Sequence, residues 1–308
     1  MKSWLLVLIA LVSACSTTSK ENLQFKLGNE YAKDGLYREA LTSYKKAQKA
    51  EPDNPIILRN IGIVQLKLGL LDKATESLEK SLLYFSSNFE TNFYLAESFK
   101  AKNDLDNASF RYRRALEINP NDVQAKKGLA WCLLNMNRLE QAKTILSAPG
   151  LAKDPQAAIL KARIMTKQGK DKEALDTLKA VQSSTSPQTM PYLASAIGDV
   201  ELSRNNSKEA LRQYSIAIRN VPLMFSGLLG AANASFMLKQ YDKAKTYAEQ
   251  AARVQPDNPE PWKTLAQIAQ ESGKFKEAQT ASNEYRKRKR VMPIANTDRD
   301  TSVRKGKM

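Results

Sequence analysis

Histidine is absent from the 308 residues of the sequence, and cysteine occurs only twice, as Cys15 and Cys132. Without imidazole the chain cannot hold a histidine-based triad, a histidine-ligated zinc ion or a histidine pH switch. Two cysteines are too few for a disulfide framework or a cysteine-rich metal site. Phosphate-loop and dinucleotide glycine motifs are also missing. We therefore expect no metal, no cofactor and no catalytic residue, so that the chain is not an enzyme.

Acidic residues are scarce relative to basic ones. Lys and Arg number 48 against 32 Asp and Glu, which gives a formal net charge of +16. Such an excess favours acidic partners, which include nucleic acid, anionic lipid headgroups and acidic protein surfaces. Apolar residues still make up 42% of the chain, so we expect a folded core.

The N-terminus contains a short apolar run, from Trp4 to Val12, behind the positive charge of Lys2. Its nine residues are too few for a membrane-spanning helix, which needs about 20. Such a run fits the apolar core of a secretory signal peptide. The small residues before Cys15 suit a signal peptidase, and an ordinary enzyme of that class could cut after Ala14.

The sequence Val12-Ser13-Ala14-Cys15 closely resembles the bacterial lipobox. The resemblance implies that residues 1–14 are removed, that Cys15 is lipidated, and that residues 15–20 form a tether. Two or more acyl chains anchor a protein stably. Ser16 in place of Asp favours the outer membrane, with the protein facing the periplasm. Export argues against nucleic acid as the partner of the basic chain.

Alanine recurs at a nearly constant interval. The successive steps are 34, 34, 34, 32, 36, 34 and 34 residues. Such periodicity is the sequence sign of a repeat protein. The alanines are Ala40, Ala74, Ala108, Ala142, Ala174, Ala210, Ala244 and Ala278.

Each alanine lies within a pair of amphipathic segments. In the first repeat, apolar and small residues between Phe25 and Ala32 recur at helical spacing, and Gly35 ends that helix. A second apolar face runs through 36–47, and Pro52 turns the chain. Neither helix can bury its stripe alone, so neighbouring repeats must stack.

The chain resembles the tetratricopeptide repeat family over nearly all of 21–290. The resemblance lies in the period, the turn prolines and the positions of glycine, alanine and aromatic residues. The resemblance implies an all-α fold, a right-handed superhelical solenoid of about eight helix-turn-helix repeats. It also implies a concave groove lined by the first helix of each repeat. The alternative is an irregular helical bundle.

Two places depart from the repeat pattern. Pro149-Gly150 ends the second helix of repeat four early, and a Ser/Thr/Pro-rich connection runs from Ser183 to Pro191. The stack can therefore bend or divide into blocks 21–148 and 155–290. Variation of surface loops explains the same two places equally well.

Family positions that face a ligand combine aromatic, amide and cationic side chains here, which suits capture of a protein or peptide. Asn29 and Asn60 match the asparagines of a clamp that binds terminal carboxylates in chaperone-binding members. The basic positions of that clamp hold Phe25, Glu90 and Tyr94, so it is not intact. The aromatics could instead only pack helix on helix. The predicted groove residues are Phe25, Asn29, Arg59, Asn60, Phe93, Tyr94, Lys127 and Trp131.

The C-terminus is strongly basic. Residues 286–308 contain nine basic and two acidic residues. Cations suit a helix C-terminus, so one interpretation is a solvated helix end followed by a disordered tail at 291–308. The other is electrostatic contact with anionic headgroups or an acidic partner. The basic cluster consists of Arg286, Lys287, Arg288, Lys289 and Arg290.

The layout of lipobox, short spacer and repeats resembles pilus-assembly lipoproteins, both type IV pilotins and those of tight-adherence pili. This implies a membrane-anchored periplasmic scaffold that assembles an envelope complex, either a pilus or a secretion system. An adaptor for peptidoglycan synthases or hydrolases has the same layout. An enzyme on a repeat scaffold is a third hypothesis, which the missing catalytic motifs oppose.

Overall fold

The computed structural model describes residues 23–291. The predicted signal peptide, the lipidated Cys15 with its tether, and the tail after Val291 lie outside the described residues. Every regular element within 23–291 is helical. The α-helices are α1 (23–33), α2 (Tyr37–Ala50), α3 (Pro55–Lys67), α4 (Leu71–Tyr84), α5 (Phe89–Ala101), α6 (Leu105–Ile118), α7 (Val123–Asn135), α8 (Leu139–Leu146), α9 (Pro155–Lys167), α10 (Asp171–Gln182), α11 (Met190–Ser203), α12 (Ser207–Asn220), α13 (Phe225–Met237), α14 (Tyr241–Val254), α15 (Glu260–Glu271) and α16 (Phe275–Val291).

The chain divides into two compact units, Met1–Cys132 and Leu133–Met308, with the boundary inside α7. Within the first, α3 packs on α4 and α5 on α6, and the second helices α2 and α4 also pack on the next first helices, α3 and α5. Within the second, the same order runs from α9 to α16. The all-α repeat architecture predicted from the sequence is confirmed. The predicted break at 149–154 lies inside the second unit.

A left-handed residue ends the first helix of every repeat, and these residues follow one another at the same steps as the alanines. In the first repeat, Gly35 N donates to Ala32 O at 3.2 Å and Leu36 N donates to Tyr31 O at 2.8 Å. This pair of bonds is the Schellman C-cap, which satisfies carbonyls that the helix leaves open. The residues with positive φ are Gly35, Gly69, Asn103, Asn137, Gly169, Asn205, Lys239 and Gly273.

The periodic alanines mark the tightest helix contacts. All but the last are fully buried, and Ala278 is half-buried. Large rings of the second helices also press on small residues of the next repeat. A Cβ added at Gly128 would lie 2.3 Å from Tyr112 Cζ, and one at Gly230 would lie 2.3 Å from Tyr214 Cε1. Small residues at these positions therefore set how closely the repeats stack.

Repeat four ends early, as its proline predicts. Helix α8 has only 8 residues, and a 3₁₀ turn follows at Pro149–Leu151. Leu151 is fully buried, so this turn contributes to the core instead of looping into solvent. Asp154 then caps α9 by accepting a hydrogen bond from Ala157 N at 2.8 Å.

Candidate peptide-binding surface

The eight predicted groove residues lie two to a helix on α1, α3, α5 and α7, all within the first unit. Contacts between these four helices join the residues into one continuous row. We call this row, together with Glu90, Glu97 and Lys100, the first-helix surface.

The polar end of the first-helix surface is a hydrogen-bonded network of amides. Asn29 Oδ1 accepts one bond from the Tyr44 hydroxyl at 2.7 Å and another from Asn60 Nδ2 at 3.1 Å. Burial raises the pKa of Tyr44, while the Asn60 hydrogen bond and the charge of Arg59 oppose that rise. With its oxygen occupied, exposed Asn29 presents its Nδ2 group, a donor that suits a peptide carbonyl.

Arg59 is held by its neighbours on the surface. Its Nη1 lies 2.6 Å from Glu90 Oε2, and its Nε donates to Asn60 Oδ1 at 3.2 Å. Only 17% of the Arg59 side chain is exposed, against 56% for Glu90. A carboxylate on a ligand would therefore have to displace Glu90 before it could reach this guanidinium.

An aromatic cluster occupies the middle of the surface. Phe93 stacks on Phe89 at a centroid distance of 6.0 Å, and it meets Tyr94 at 5.3 Å and Tyr112 at 6.0 Å edge to face. Phe93 thus packs helix on helix, yet it and Tyr94 stay only half-buried. Burial raises the pKa of Tyr94, as do the Glu90 and Glu97 carboxylates, and Arg59 opposes them.

The sequence analysis did not predict Lys100, which lies on α5 where this helix contacts α7. Its Nζ lies 2.7 Å from Glu97 Oε2 and 6.0 Å from the ring centroids of both Tyr112 and Trp131. The Tyr112 hydroxyl also donates to Glu97. The three-residue spacing of Glu97 and Lys100 on a helix was the available sequence signal.

The charges of the first-helix surface largely neutralise one another. Arg59 pairs with Glu90, and Lys100 pairs with Glu97. Lys127, predicted to reach a ligand, is buried, with 8% of its surface exposed. The groups that remain open to a ligand are therefore half-buried rings and oriented amides.

The equivalent positions of the second unit differ in chemistry. They carry Arg163, Asp199, Asn233 and Lys263, and none is aromatic. Asp199 accepts a hydrogen bond from Tyr214 at 2.7 Å, and Asn233 Oδ1 accepts one from Thr264 at 2.9 Å. These side chains are thus largely committed to contacts within the unit.

The basic cluster of 286–290 forms the last turns of α16, and its residues have different roles. Arg288 Nε donates to Pro256 O at 2.5 Å, and its guanidinium carbon lies 4.4 Å from the Trp262 ring centroid. Arg288 also pairs with Glu284. The other four residues of the cluster are exposed.

Residues 23–291 contain neither a cluster of metal-ligand side chains nor a membrane-spanning helix. No three His, Cys, Asp or Glu side chains come together there as a metal site would require. None of the helices in this range combines the length and hydropathy needed to cross a bilayer.

Family models give the same repeat in four stretches of the chain. Models described as tetratricopeptide repeat match residues 100–164 and 235–290 and residues 195–261. A model described as TPR repeat matches residues 28–69. The chain is an array of tetratricopeptide repeats.

Individual relatives are distant from this tetratricopeptide repeat protein. Human peptidyl-prolyl cis-trans isomerase FKBP4 is 32% identical over 126 residues, which are 36% of this chain and 28% of that protein. A tetratricopeptide repeat protein from Parabacteroides merdae has a TM-score of 0.71 at 15% identity and covers 81% of this chain and 99% of its own. PilW, a type IV pilus biogenesis factor, has a TM-score of 0.56 at 20% identity, and the match covers 68% of this chain and 98% of PilW.

These similarities establish the general role of the fold. The match to FKBP4 spans little more than a quarter of that protein, and the structural neighbours share the fold alone. A tetratricopeptide array is a scaffold for protein–protein interaction.

Proposed function

We propose that the protein is a membrane-anchored periplasmic adaptor that captures a partner protein on the first-helix surface during assembly of a pilus or secretion system. The observation behind this proposal is that the acids and cations of the surface pair with each other among half-buried rings. A partner therefore contacts mainly the rings of Tyr94, Phe93 and Trp131, while the amides of Asn29 and Asn60 hydrogen-bond to its backbone.

The surface favours an extended, mostly apolar segment of the partner. Rings of this kind bury a peptide's apolar side chains, and Tyr, Trp and Arg often dominate interface energy. Tyr44 already orients the Asn29 amide, and Asn29 and Arg59 orient that of Asn60, so little side-chain entropy is lost when the amides bind backbone. Because Arg59 and Lys100 already have carboxylate partners, a purely acidic peptide gains less binding free energy at this surface than an apolar one.

The cellular setting of the proposal rests on other observations. The lipobox sequence at Val12-Ser13-Ala14-Cys15 supports a lipid anchor on Cys15 in the envelope. The fold shared with PilW supports a place in pilus assembly. In this setting the partner is a protein of the same assembly.

Crosslinking in cells, followed by pull-down from solubilised membranes, tests the capture surface. We expect the double variant Arg59→Ala with Tyr94→Ala to lose most of the crosslinked partner while its circular dichroism stays helical. The matched control is Arg163→Ala with Tyr192→Ala on first helices of the second unit, which should retain the partner. Equal capture by wild type and the first double variant would refute binding at this surface. A captured peptidoglycan synthase or hydrolase would replace the pilus assignment.

Fatty-acid labelling tests the anchor separately. Wild-type protein should incorporate labelled fatty acid and sediment with membranes, and Cys15→Ala should do neither. Cys132→Ala is the control, because it removes the other thiol and leaves the lipobox intact. Labelling that persists in Cys15→Ala would exclude this anchor without bearing on the capture surface.

A further inference from the structure

The end of α16 separates its cations into one inward residue and four outward ones. Arg288 is fixed against Trp262 and the Pro256 carbonyl. At 3.6 residues per turn, the other four lie within an arc of about 160° whose middle is nearly opposite Arg288. We call these four the basic arc: Arg286, Lys287, Lys289 and Arg290.

The basic arc is not neutralised by the protein around it. None of its four cations forms an ion pair with a residue in 23–291, and the one ring contact is Lys289 with Tyr285 at 5.5 Å. The nearest acid along the helix, Glu284, is taken by Arg288. Fixing Arg288 inward therefore holds four unpaired charges outward at the end of the helix.

We propose that the basic arc binds an anionic lipid surface. The four cations diverge from the helix axis, so they cannot converge on one bound anion. A plane of mobile headgroups can match such a spread, because its lipids rearrange to meet each charge. This contact is independent of the first-helix surface and of the lipid anchor.

The sequence that follows distinguishes a membrane from a soluble acidic partner. The four residues after the arc are Val291, Met292, Pro293 and Ile294, and further basic residues follow at 299, 304, 305 and 307. Apolar residues beside cations fit the boundary between headgroups and acyl chains. A soluble polyanion such as nucleic acid or an acidic protein segment would use the charges and not require these apolar residues.

Vesicle sedimentation of the full chain tests the proposal. Vesicles of phosphatidylcholine alone measure what the N-terminus contributes, and vesicles with added phosphatidylglycerol measure the charge-dependent part. Each basic residue near an anionic surface contributes about fivefold to partitioning at low salt. Replacing all four residues of the basic arc by Gln should therefore lower the charge-dependent binding at least about tenfold, and high salt should do the same to wild type.

Two further variants make the result specific. The charge control uses four exposed lysines of the same unit, namely Lys167, Lys170, Lys172 and Lys179. Replacing them by Gln removes equal charge and should leave vesicle binding near that of wild type. Val291→Ser with Ile294→Ser keeps every charge and should also weaken binding. Unchanged binding by the four-Gln arc variant would overturn the proposal. The proposal would also be overturned if the Val291/Ile294 variant bound vesicles like wild type and polyglutamate abolished that binding. The arc would then be a site for an acidic protein.

Discussion

The Tyr214 hydroxyl donates a hydrogen bond to Asp199 Oδ1 at 2.7 Å and so joins the second helix of repeat six to its first helix. The Tyr214 ring is fully buried and fills the gap toward the next repeat. One side chain thus stacks two repeats and also orients a polar group on the first-helix face. The same bond recurs from Tyr44 to Asn29 and from Tyr112 to Glu97.

Removing the tyrosine hydroxyl should lower the free energy of unfolding more where the hydrogen-bond acceptor is a carboxylate. We expect Tyr214→Phe to lower the free energy of unfolding by about 1.5–3 kcal/mol, the range for hydrogen bonds to charged groups. Tyr44→Phe has the neutral acceptor Asn29 and should cost only about 0.5–1.5 kcal/mol. Urea unfolding followed by circular dichroism measures both. Equal losses would mean that the charge of the acceptor does not set the size of the loss.

The buried tyrosines should also make the fold sensitive to alkali. Burial and the Asp199 carboxylate raise the pKa of Tyr214 well above its usual value, while in the unfolded chain it ionises near pH 10. Because the folded pKa is the higher one, its stabilisation is complete below about pH 10 and is lost as pH rises beyond it. Thermal unfolding from about pH 9 to about pH 11 should show a smaller fall in Tm for Tyr214→Phe than for wild type. Parallel curves would exclude Tyr214 as a contributor.

Lys239 occupies a backbone conformation that favours glycine, with φ of 59°. Lys239→Gly should therefore stabilise the protein by about 0.5–1 kcal/mol, because it removes the clash of Cβ with the backbone. The reverse change, Gly69→Lys, is the control. Gly69 has φ of +74° and open space where a Cβ would lie, so only the backbone is strained. Opposite shifts in Tm are expected, and shifts of the same sign would rule out this account.

Cys132 should react with thiol reagents only when the fold opens. It is fully buried, and burial raises its pKa to about 12 against the opposing charge of Lys100. In a Cys15→Ala background, labelling at about pH 8 should be slow and should accelerate with denaturant in step with unfolding. Rapid labelling without denaturant would show that α7 does not pack as described.

The repeat frame could be predicted from the sequence because its determinants are local. Alanine at steps of about 34 residues follows from close packing, and glycine before four of the second helices follows from the C-cap; the structure places both accordingly. Partners of long side chains could not be predicted this way. Arg59 reaches Glu90 and Arg288 reaches the Pro256 carbonyl; these contacts depend on how neighbouring repeats stack, which single-helix patterns do not specify.

The inward stacking of Arg288 on Trp262 also gives the molecule an optical property. Of its three tryptophans, Trp131 lies in the first unit near Lys100, and Trp262 lies in the second beneath Arg288. Each indole therefore fluoresces beside a cation of its own unit, and that cation moves away when the unit unfolds. Single-tryptophan chains that also lack Trp4 would follow the unfolding of the two units separately by fluorescence. Such spectra would measure the cooperativity between the units directly.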